Sequence, residues 1–356
     1  MTVSSIPGRR LALAVAVVAA LGFGTIADAR SPNSYVVRVL VSDGNLQAEH
    51  VDPDLVNPWG IAFNPTGFSW VSDNHTGKST LYDGNGVKQS LVVAIPGAHD
   101  DAGSPDGILY NASSDFKVTE NGLAGTAVFI FSSEDGVISG WAPSVDTANA
   151  ITAYKSPNGV YKGIAMASTS SGNRLYATDF HNAHVDVFDA SYNLISVPGD
   201  FVDPVLPPKF APFGIANIGG LIYVTFTKQD ADAHDDVPGR GVVDIFDTDG
   251  NLLRRGAAQA GLSSPWGVTL APADFGHFSN RLLVSNFGSG QISAYDPKTG
   301  DFLGYVRNTD GTKFKVPGLW GIEFGNDAAN QPHNALFWSA GPAHENHGAY
   351  GRLDTE

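Results

Sequence analysis

Six of the ten histidines lie in polar stretches that directly follow apolar, strand-like runs: His75, His181, His184, His234, His344 and His347. Neutral imidazole binds metal ions and accepts protons near pH 7. Carboxylates and a carboxamide occur in equivalent stretches, so we predict a site for a divalent metal, calcium or zinc, drawn from Asp179, Glu120, Asn286, His234 and His347. His181 or His75 would accept the proton of a metal-bound water. The alternative is that the histidines are exposed and that the Asp and Asn side chains cap turns.

A second set of candidate residues precedes a glycine that recurs through the chain. The phrase "NPWGIAF" (57–63) returns in altered form as "SPDGILY", "VYKGIAM", "APFGIAN", "SPWGVTL" and "GLWGIEF". The shared glycines are spaced 47 to 56 residues apart, and we attribute them to a turn that leads into each strand. The residues before them are Trp59, Asp106, Lys162, Phe213, Trp266 and Trp320.

Four aromatic rings, a carboxylate and an amine around one opening are typical of a small-molecule pocket. In that interpretation the four rings bind substrate, and Lys162 and Asp106 take part in catalysis. The alternative is that the rings close a narrow channel while Asp106 and Lys162 form a structural ion pair. Both interpretations require the six positions to meet in space.

The repeat predicts the fold that would bring these positions together. Each glycine phrase opens a unit of about 50 residues with up to four short strands, separated by Asp, Asn and Gly clusters that favour tight turns. We predict an all-β protein, a six-bladed β-propeller of four-stranded antiparallel blades, whose ring is closed when an N-terminal strand (34–42) joins the last blade. The first strands would start on the face that carries the loops between second and third strands, here named the loop face. A sandwich or two separate domains is the alternative, but no linker divides the units.

Two local assignments bear on the site. The stretch "DFKVTEN" (115–121) is assigned as the second strand of the second blade, which would place Glu120 on the loop face. The stretch "KQDADAHDDVPGRG" (228–241) is an acidic insertion in the fourth blade. An EF-hand loop that began at Asp230 would need Gly and Glu where Asp235 and Gly241 stand, so we expect a solvated loop. The alternative is that the aspartates around His234 bind calcium through their oxygens.

The strand phrases resemble NHL-type repeats. The likeness rests on Pro-x-Gly-apolar phrases, on strands that end in Asp or Asn, and on "EDGVISGW", "DFHNAHVDVFD" and "QDADAHDDV". The chain is similar to an exported bacterial family of six-bladed propellers of this kind, and more distantly to gluconolactonase/SMP-30-type propellers. The second resemblance implies a calcium ion in the channel, held by Glu, Asn and Asp side chains. Only one of these ligands has a counterpart in this chain, Asp106 in "SPDG".

The first 29 residues have the pattern of a secretory signal peptide. Arg9 and Arg10 precede an apolar run over 11–24, and a small-x-small cleavage site ends at Ala29. The run of 14 residues is shorter than the roughly 20 that span a bilayer, which favours cleavage over a membrane anchor. Residues 30–356 would then form a single propeller domain in the periplasm or outside the cell.

Charge and composition exclude several classes of partner. A formal net charge of −15 argues against binding to nucleic acid or anionic membranes, and the lack of cysteine excludes disulfides and Cys-ligated metals. We therefore expect a monomer whose partner is a small-molecule ligand or substrate. Metal-dependent hydrolysis of a small ester or lactone is the leading hypothesis. A non-catalytic propeller that binds a small molecule, glycan or protein is the alternative.

Overall fold

The computed structural model describes residues 1–2, 32–99, 101–258 and 260–356. Within these residues the chain forms six main antiparallel sheets, and their first strands contact one another in a closed ring around a central channel. The prediction of an all-β, six-bladed propeller is therefore confirmed. Residues 3–29 of the predicted signal peptide lie outside the described part of the chain.

The strands follow the repeat, with β1 (Tyr35–Ser42) and β2 (His50–Val51) ahead of the first blade. Blade 1 contains, from the channel outward, β3 (Pro58–Phe63), β4 (Ser69–Asp73), β5 (Lys78–Tyr82) and β6 (Lys88–Ala94). Blade 2 begins with β7 (Pro105–Tyr110), followed in the chain by a separate hairpin of β8 (Lys117–Glu120) and β9 (Leu123–Thr126). It continues with β10 (Phe129–Ser133), β11 (Val137–Trp141) and β12 (Ile151–Lys155).

The remaining blades repeat this order. Blade 3 contains β13 (Tyr161–Thr169), β14 (Gly172–Asp179), β15 (His184–Phe188) and β16 (Leu194–Ile195). Blade 4 contains β17 (Phe210–Ile218), β18 (Leu221–Gln229), β19 (Asp236–Phe246) and β20 (Leu252–Ala258). Blade 5 contains β21 (Pro265–Leu270), β22 (Leu282–Asn286), β23 (Gln291–Tyr295) and β24 (Phe302–Tyr305). Blade 6 contains β25 (Leu319–Phe324), β26 (Leu336–Ala340) and β27 (Ala349–Thr355), and short 3₁₀ turns cover Asn74–Thr76 and Gly276–Phe278.

The sixth blade is completed from the other end of the chain. Strand β1 pairs antiparallel with β27, from Tyr35 opposite Thr355 to Ser42 opposite Ala349. This pairing covers the edge of β27, which would otherwise present free backbone groups to other chains. The predicted ring closure by residues 34–42 is confirmed.

The assignment of 115–121 as a second strand is wrong. Those residues belong to the β8–β9 hairpin, whose turn is formed by Asn121 and Gly122, both with positive φ. An Asn-Gly pair favours such a two-residue turn, and most of the hairpin is exposed. The second strand of blade 2 is instead β10, which is wholly buried. Glu120 is therefore exposed on the hairpin, and Glu134 follows the second strand in its place.

The repeated glycines are required by close approach between blades. None of the six has a positive φ, so the turn that we expected of them is not the reason for glycine. A Cβ on Gly214 would lie 2.0 Å from the carbonyl oxygen of Trp266, and one on Gly321 would lie 2.5 Å from that of Trp59. Only glycine lets adjacent first strands come this close.

Hydroxyl groups and apolar clusters join neighbouring blades. Thr178 donates a hydrogen bond to the carbonyl oxygen of Phe213 at 2.6 Å, and Ser339 donates one to that of Trp59 at 2.5 Å. Apolar side chains fill the space between blades, as where Trp70 stacks on Phe129 with ring centroids 4.1 Å apart. In the described residues, no helix is long and apolar enough to span a membrane.

Candidate functional site at the channel mouth

Six aromatic side chains close the channel at the loop face. We name them the aromatic closure: Trp59, Phe180, Phe213, Trp266, Phe287 and Trp320. Trp59 and Trp320 stack with ring centroids 3.5 Å apart, and both are only 1% exposed. The four rings that we predicted at this end are thus brought together, but they pack on one another and fill the channel.

The closure is oriented by hydrogen bonds at its indole nitrogens. Trp320 Nε1 donates to Asn57 Oδ1 at 3.0 Å, and Trp266 Nε1 donates to the carbonyl oxygen of Lys162 at 2.7 Å. Trp59 Nε1 is buried and has no hydrogen-bond partner among the described residues. These bonds link the aromatic closure to the side chain of Asn57 and to the backbone of Lys162.

Five polar side chains form a continuous chain of contacts on the loop-face side of the closure. We name them the mouth network: Asn57, Asn74, Glu134, Lys162 and Glu345. Asn57 Nδ2 donates to Asn74 Oδ1 at 3.2 Å and to Glu345 Oε2 at 3.0 Å. Asn74 Nδ2 donates to Glu134 Oε2 at 2.9 Å, and Glu134 Oε1 accepts a hydrogen bond from Lys162 Nζ.

Lys162 is a buried cation at one end of the network, next to Glu134. Its side chain is 2% exposed, and its Nζ lies 5.3 Å from the centre of the Trp59 ring and 3.6 Å from Asp235 Oδ1. Burial alone would lower the pKa of Lys162, but the charge of Glu134 and its hydrogen bond outweigh burial and raise it. Lys162 is therefore an ammonium ion at neutral pH.

Asp106 does not form the ion pair with Lys162 that we considered. Its Oδ1 accepts hydrogen bonds from Ser132 Oγ and from the backbone N–H of Gly107, while its Oδ2 is buried without a partner in the described chain. Burial raises the pKa of Asp106 well above its usual range. Glu134 is the partner of Lys162 instead, because the true second strand of blade 2 ends beside it.

Glu345 is delivered to the mouth by an unusual loop. Ala343, His344 and Glu345 all have positive φ, a conformation that costs roughly 1–2 kcal/mol per residue and often marks a functional segment. Burial, followed by the charge of Glu134, raises the pKa of Glu345 to about 7, although the hydrogen bond from Asn57 opposes the shift. Glu345 can therefore exchange a proton near neutral pH.

The acidic insertion of blade 4 lies beside the mouth. Within it, Asp230 N–H donates to the carbonyl oxygen of Asp235 at 2.8 Å, which makes 230–235 a compact turn that we name the acidic cap. The carbonyl oxygen of Ala233 is 3.2 Å from His181 Nδ1, and Asp235 is the residue that approaches Lys162. The Asp235 side chain is 71% exposed, so the cap is held to Lys162 by a weak surface contact.

The residues predicted to bind metal are not brought together as one set. Asn286 is buried and bonds Ser293 Oγ and the backbone around the end of β22. His347 Nδ1 lies 2.6 Å from Asp43 Oδ2, on blade 6. His234 lies on the acidic cap, 3.5 Å from Asp235. His75, which we predicted as a proton acceptor, is exposed in a 3₁₀ turn.

Asp179 alone of that set joins a group of possible metal ligands. Asp179, His184 and Asp186, here the blade-3 triad, each offer a ligand atom, and these atoms lie within 4.8 Å of one another. His184 Nε2 is 2.9 Å from Asp186 Oδ1 and 3.9 Å from Asp179 Oδ2. The pKa of His184 is raised, chiefly by its hydrogen bond to the Asp186 carboxylate. Two carboxylates and an imidazole suit a divalent cation, so the triad fits one.

The mouth network does not fit a divalent cation in the same way. The Lys162 ammonium already neutralises Glu134 and stands among the carboxylates where a metal would lie. A second positive charge there would meet an ammonium ion at close range. The positive charge at the mouth is therefore the ammonium of Lys162 and not a metal ion.

No protein-family model matches the sequence. The mimivirus protein "Uncharacterized protein L690" (Acanthamoeba polyphaga mimivirus) is 33% identical over 304 residues, which cover 82% of this chain and 79% of that protein. The chain belongs to the same family as this viral protein. Another member, "Uncharacterized protein R648" of the same virus, is 33% identical over 308 residues, with 82% of this chain and 74% of that protein covered. Both of these family members are viral proteins, so they do not support the bacterial family that we predicted for this chain.

Solved structures share the fold at low identity. A candidate gluconolactonase from a structural-genomics programme superposes with a TM-score of 0.56 at 12% identity, covering 92% of this chain and 94% of that chain. A gluconolactonase from Xanthomonas campestris gives a TM-score of 0.52 at 14% identity, covering 85% and 86%. The calcium-binding protein regucalcin from Agrobacterium tumefaciens gives 0.51 at 15% identity, covering 90% and 94%. At these identities the likeness establishes the propeller architecture alone.

Proposed function

We propose that the protein hydrolyses a small ester or lactone at the mouth network. The observation that supports this most is the meeting of a buried ammonium, Lys162, with two carboxylates in different states. Glu134 is ionised because Lys162 lowers its pKa against the effect of burial. Glu345 titrates near neutral pH. Carboxyl groups whose pKa values are pushed apart are typical of acid–base sites.

In the proposed mechanism Glu345 is the general base. Its carboxylate accepts a proton from a water molecule as the water oxygen adds to the substrate carbonyl carbon. The positive charge of Lys162 stabilises the oxyanion that develops, and Glu134 holds the ammonium in place. The bond to the leaving oxygen then breaks, and that oxygen takes the proton back from Glu345.

Substrate entry would require movement of the acidic cap. Lys162 is almost fully covered, and Asp235 contacts it across 3.6 Å from an exposed side chain. Such a contact contributes little to stability, so a substrate could displace it at small cost. The structural likeness to proteins described as gluconolactonases makes lactones the first class to test.

We place any bound calcium or zinc ion at the blade-3 triad, on Asp179, His184 and Asp186. An ion held there would supply a fixed positive charge at the rim of blade 3. Equilibrium dialysis of the wild-type protein and of His184→Ala against each ion tests this placement. Retention by the wild type and loss in the variant is expected; equal retention by both would refute it.

Hydrolysis is tested with a panel of γ- and δ-lactones and aryl esters, followed by acid release at constant pH. The wild-type protein should turn over at least one substrate, and Glu345→Gln should reduce kcat/KM by about 100-fold or more, since loss of a general base has this effect. Thermal melting of both proteins controls for folding. Turnover that is unchanged in Glu345→Gln would refute the role of Glu345.

A second candidate function is binding without turnover. It is favoured by one observation: Lys162 is covered and already paired, so it is poorly placed to contact a substrate directly. Lactones that bind at the mouth with no acid release, and with affinity weakened by Glu345→Gln, would support this function over hydrolysis.

We also propose that the protein is exported by its N-terminal segment, with cleavage after Ala29. The support is the pattern of Arg9, Arg10 and the apolar run that follows them. Mass spectrometry of the protein from cells that make the full chain tests this, since a mature protein should begin at Arg30. An intact N-terminus would contradict it.

A further inference from the structure

On the far side of the aromatic closure, the first strands of the six blades enclose a cavity of about 550 Å³. Trp266 of the closure forms part of its wall, so the cavity and the mouth network occupy opposite sides of the same rings. Small-molecule sites typically have volumes of about 300–1,000 Å³. The cavity is therefore large enough for a ligand of its own.

The wall of this cavity is formed mainly by apolar side chains and glycine, but Tyr110, Asn217, Thr269 and Glu323 are polar. The positions two residues after the repeated glycines belong to the wall, and they are Ala62, Leu109, Ala165, Ala216, Thr269 and Glu323. Among all described residues of the wall, Glu323 is the one charged group, and Tyr110 is the other titratable one. A single carboxyl group among uncharged side chains is a specific recognition feature.

Glu323 has no counter-charge in the described part of the chain. Its Oε1 accepts a hydrogen bond from the backbone N–H of Phe324 at 3.1 Å, and no other hydrogen bond or ion pair involves its side chain. Burial raises the pKa of Glu323 to about 7 for this reason. A partly buried carboxylate without a counter-charge is disfavoured, and a cation brought by a ligand would reduce that cost.

The strands around the cavity also present backbone acceptors. Each first strand pairs only with the second strand of its own blade, so its other edge faces the channel. Carbonyl oxygens on such an edge lack strand partners and can accept hydrogen bonds from a ligand. An ammonium group has three N–H donors, which suits one carboxylate and nearby carbonyl oxygens.

We propose that this cavity binds a small apolar amine as its ammonium ion, with Glu323 as the counter-charge. The aliphatic wall residues surround the hydrocarbon part of the amine, and the aromatic closure ends the site. This binding site is independent of the hydrolysis proposed at the mouth.

The test uses two probes that share one hydrocarbon, 1-aminoadamantane and 1-adamantanol. Each is titrated calorimetrically into the wild-type protein, Glu323→Gln and Glu345→Gln at pH 8. The wild type should bind the amine at least ten-fold more tightly than the alcohol, and Glu323→Gln should lose that preference. Glu345→Gln is the matched control on the other side of the closure and should keep it.

Three results would overturn the proposal: no binding of the amine, equal affinity for amine and alcohol in the wild-type protein, or an amine preference that survives in Glu323→Gln. The comparison of two ligands on the wild-type protein needs no variant to fold. Lactone hydrolysis by Glu323→Gln should stay at the wild-type rate, so failure of either proposal is distinguishable from failure of the other.

Discussion

The geometry of the mouth depends on the buried ammonium group of Lys162. It is buried with Glu134, whose side chain is 17% exposed, and the two form one electrostatic unit. Removal of one member of a buried pair leaves an uncompensated charge, whereas removal of both is often tolerated. The same pair therefore determines both the local stability and the charge that a substrate would meet.

Lys162→Met should lower the free energy of unfolding by about 3–5 kcal/mol, because Glu134 is left buried without a counter-charge. Denaturant titration followed by tryptophan fluorescence measures the change. The double variant Lys162→Met/Glu134→Gln is the matched control and should recover most of the loss. A double variant as unstable as the single one would mean that packing, and not charge, explains the effect.

The sequence predicts some residues of this site and not others. The repeat places Lys162 and the tryptophans around one opening, because equivalent positions of a propeller meet at its axis. Glu345 could not be placed, since its position depends on three successive residues with positive φ in an irregular loop. Glu134 could have been found, had the buried run "FIFSS" been assigned as the second strand.

At the scale of elements, the first strands are packed so closely that five of the six repeated glycines leave no space for a side chain, Gly163 being the exception. The Cβ of an alanine at 214 would lie 2.0 Å from a carbonyl oxygen of the next blade. Backbone on both sides of such a contact cannot move without a shift of a whole blade. The repeated glycine is thus a condition for closing the ring.

Gly214→Ala should destabilise the protein by about 3 kcal/mol, at the upper end of the usual range for overpacking. Gly239→Ala is the matched control, because its φ is not positive and its nearest neighbouring atom would lie 3.8 Å away. Thermal melting of the two variants beside the wild-type protein measures the difference. Equal melting temperatures for the two variants would contradict the packing argument.

The strands were predicted correctly where the blades follow the repeat. The prediction failed in blade 2, where an inserted hairpin has a strand-like sequence. Most blades follow the glycine phrase with a second strand at once, which the sequence shows clearly. In blade 2 the β8–β9 hairpin stands between them and has strand-like residues of its own. The Asn-Gly turn is the sequence signal that marks these residues as a separate hairpin. The hairpin is mostly exposed, whereas the true second strand, β10, is wholly buried.

At the scale of the whole molecule, strand β1 joins the first part of the propeller to its last blade by pairing with β27. Tyr35 extends this closure to blade 5, since its hydroxyl donates to the carbonyl oxygen of Phe275 at 2.9 Å and accepts from the N–H of Phe278 at 3.1 Å. One buried phenol therefore links two blades across the point of ring closure.

Tyr35→Phe should cost about 1–3 kcal/mol of unfolding free energy, because two buried backbone groups lose their partner. Tyr223→Phe is the matched control, since Tyr223 is buried and its hydroxyl makes no hydrogen bond among the described residues. Denaturant titration of both variants provides the comparison. Equal losses in the two variants would show that the hydroxyl of Tyr35 does not stabilise the closed ring.

The central claim for the whole molecule is that one end of a closed channel performs acid–base chemistry through Glu345. The most direct measurement is kcat/KM against pH for a lactone substrate. Glu345 acts as a base only when ionised, so kcat/KM should rise with pH, reach half its maximum near 7 and then level off. Glu345→Gln should abolish this rise. A wild-type rate that does not change between pH 5 and 9, or a variant that keeps the same rise, would contradict the account.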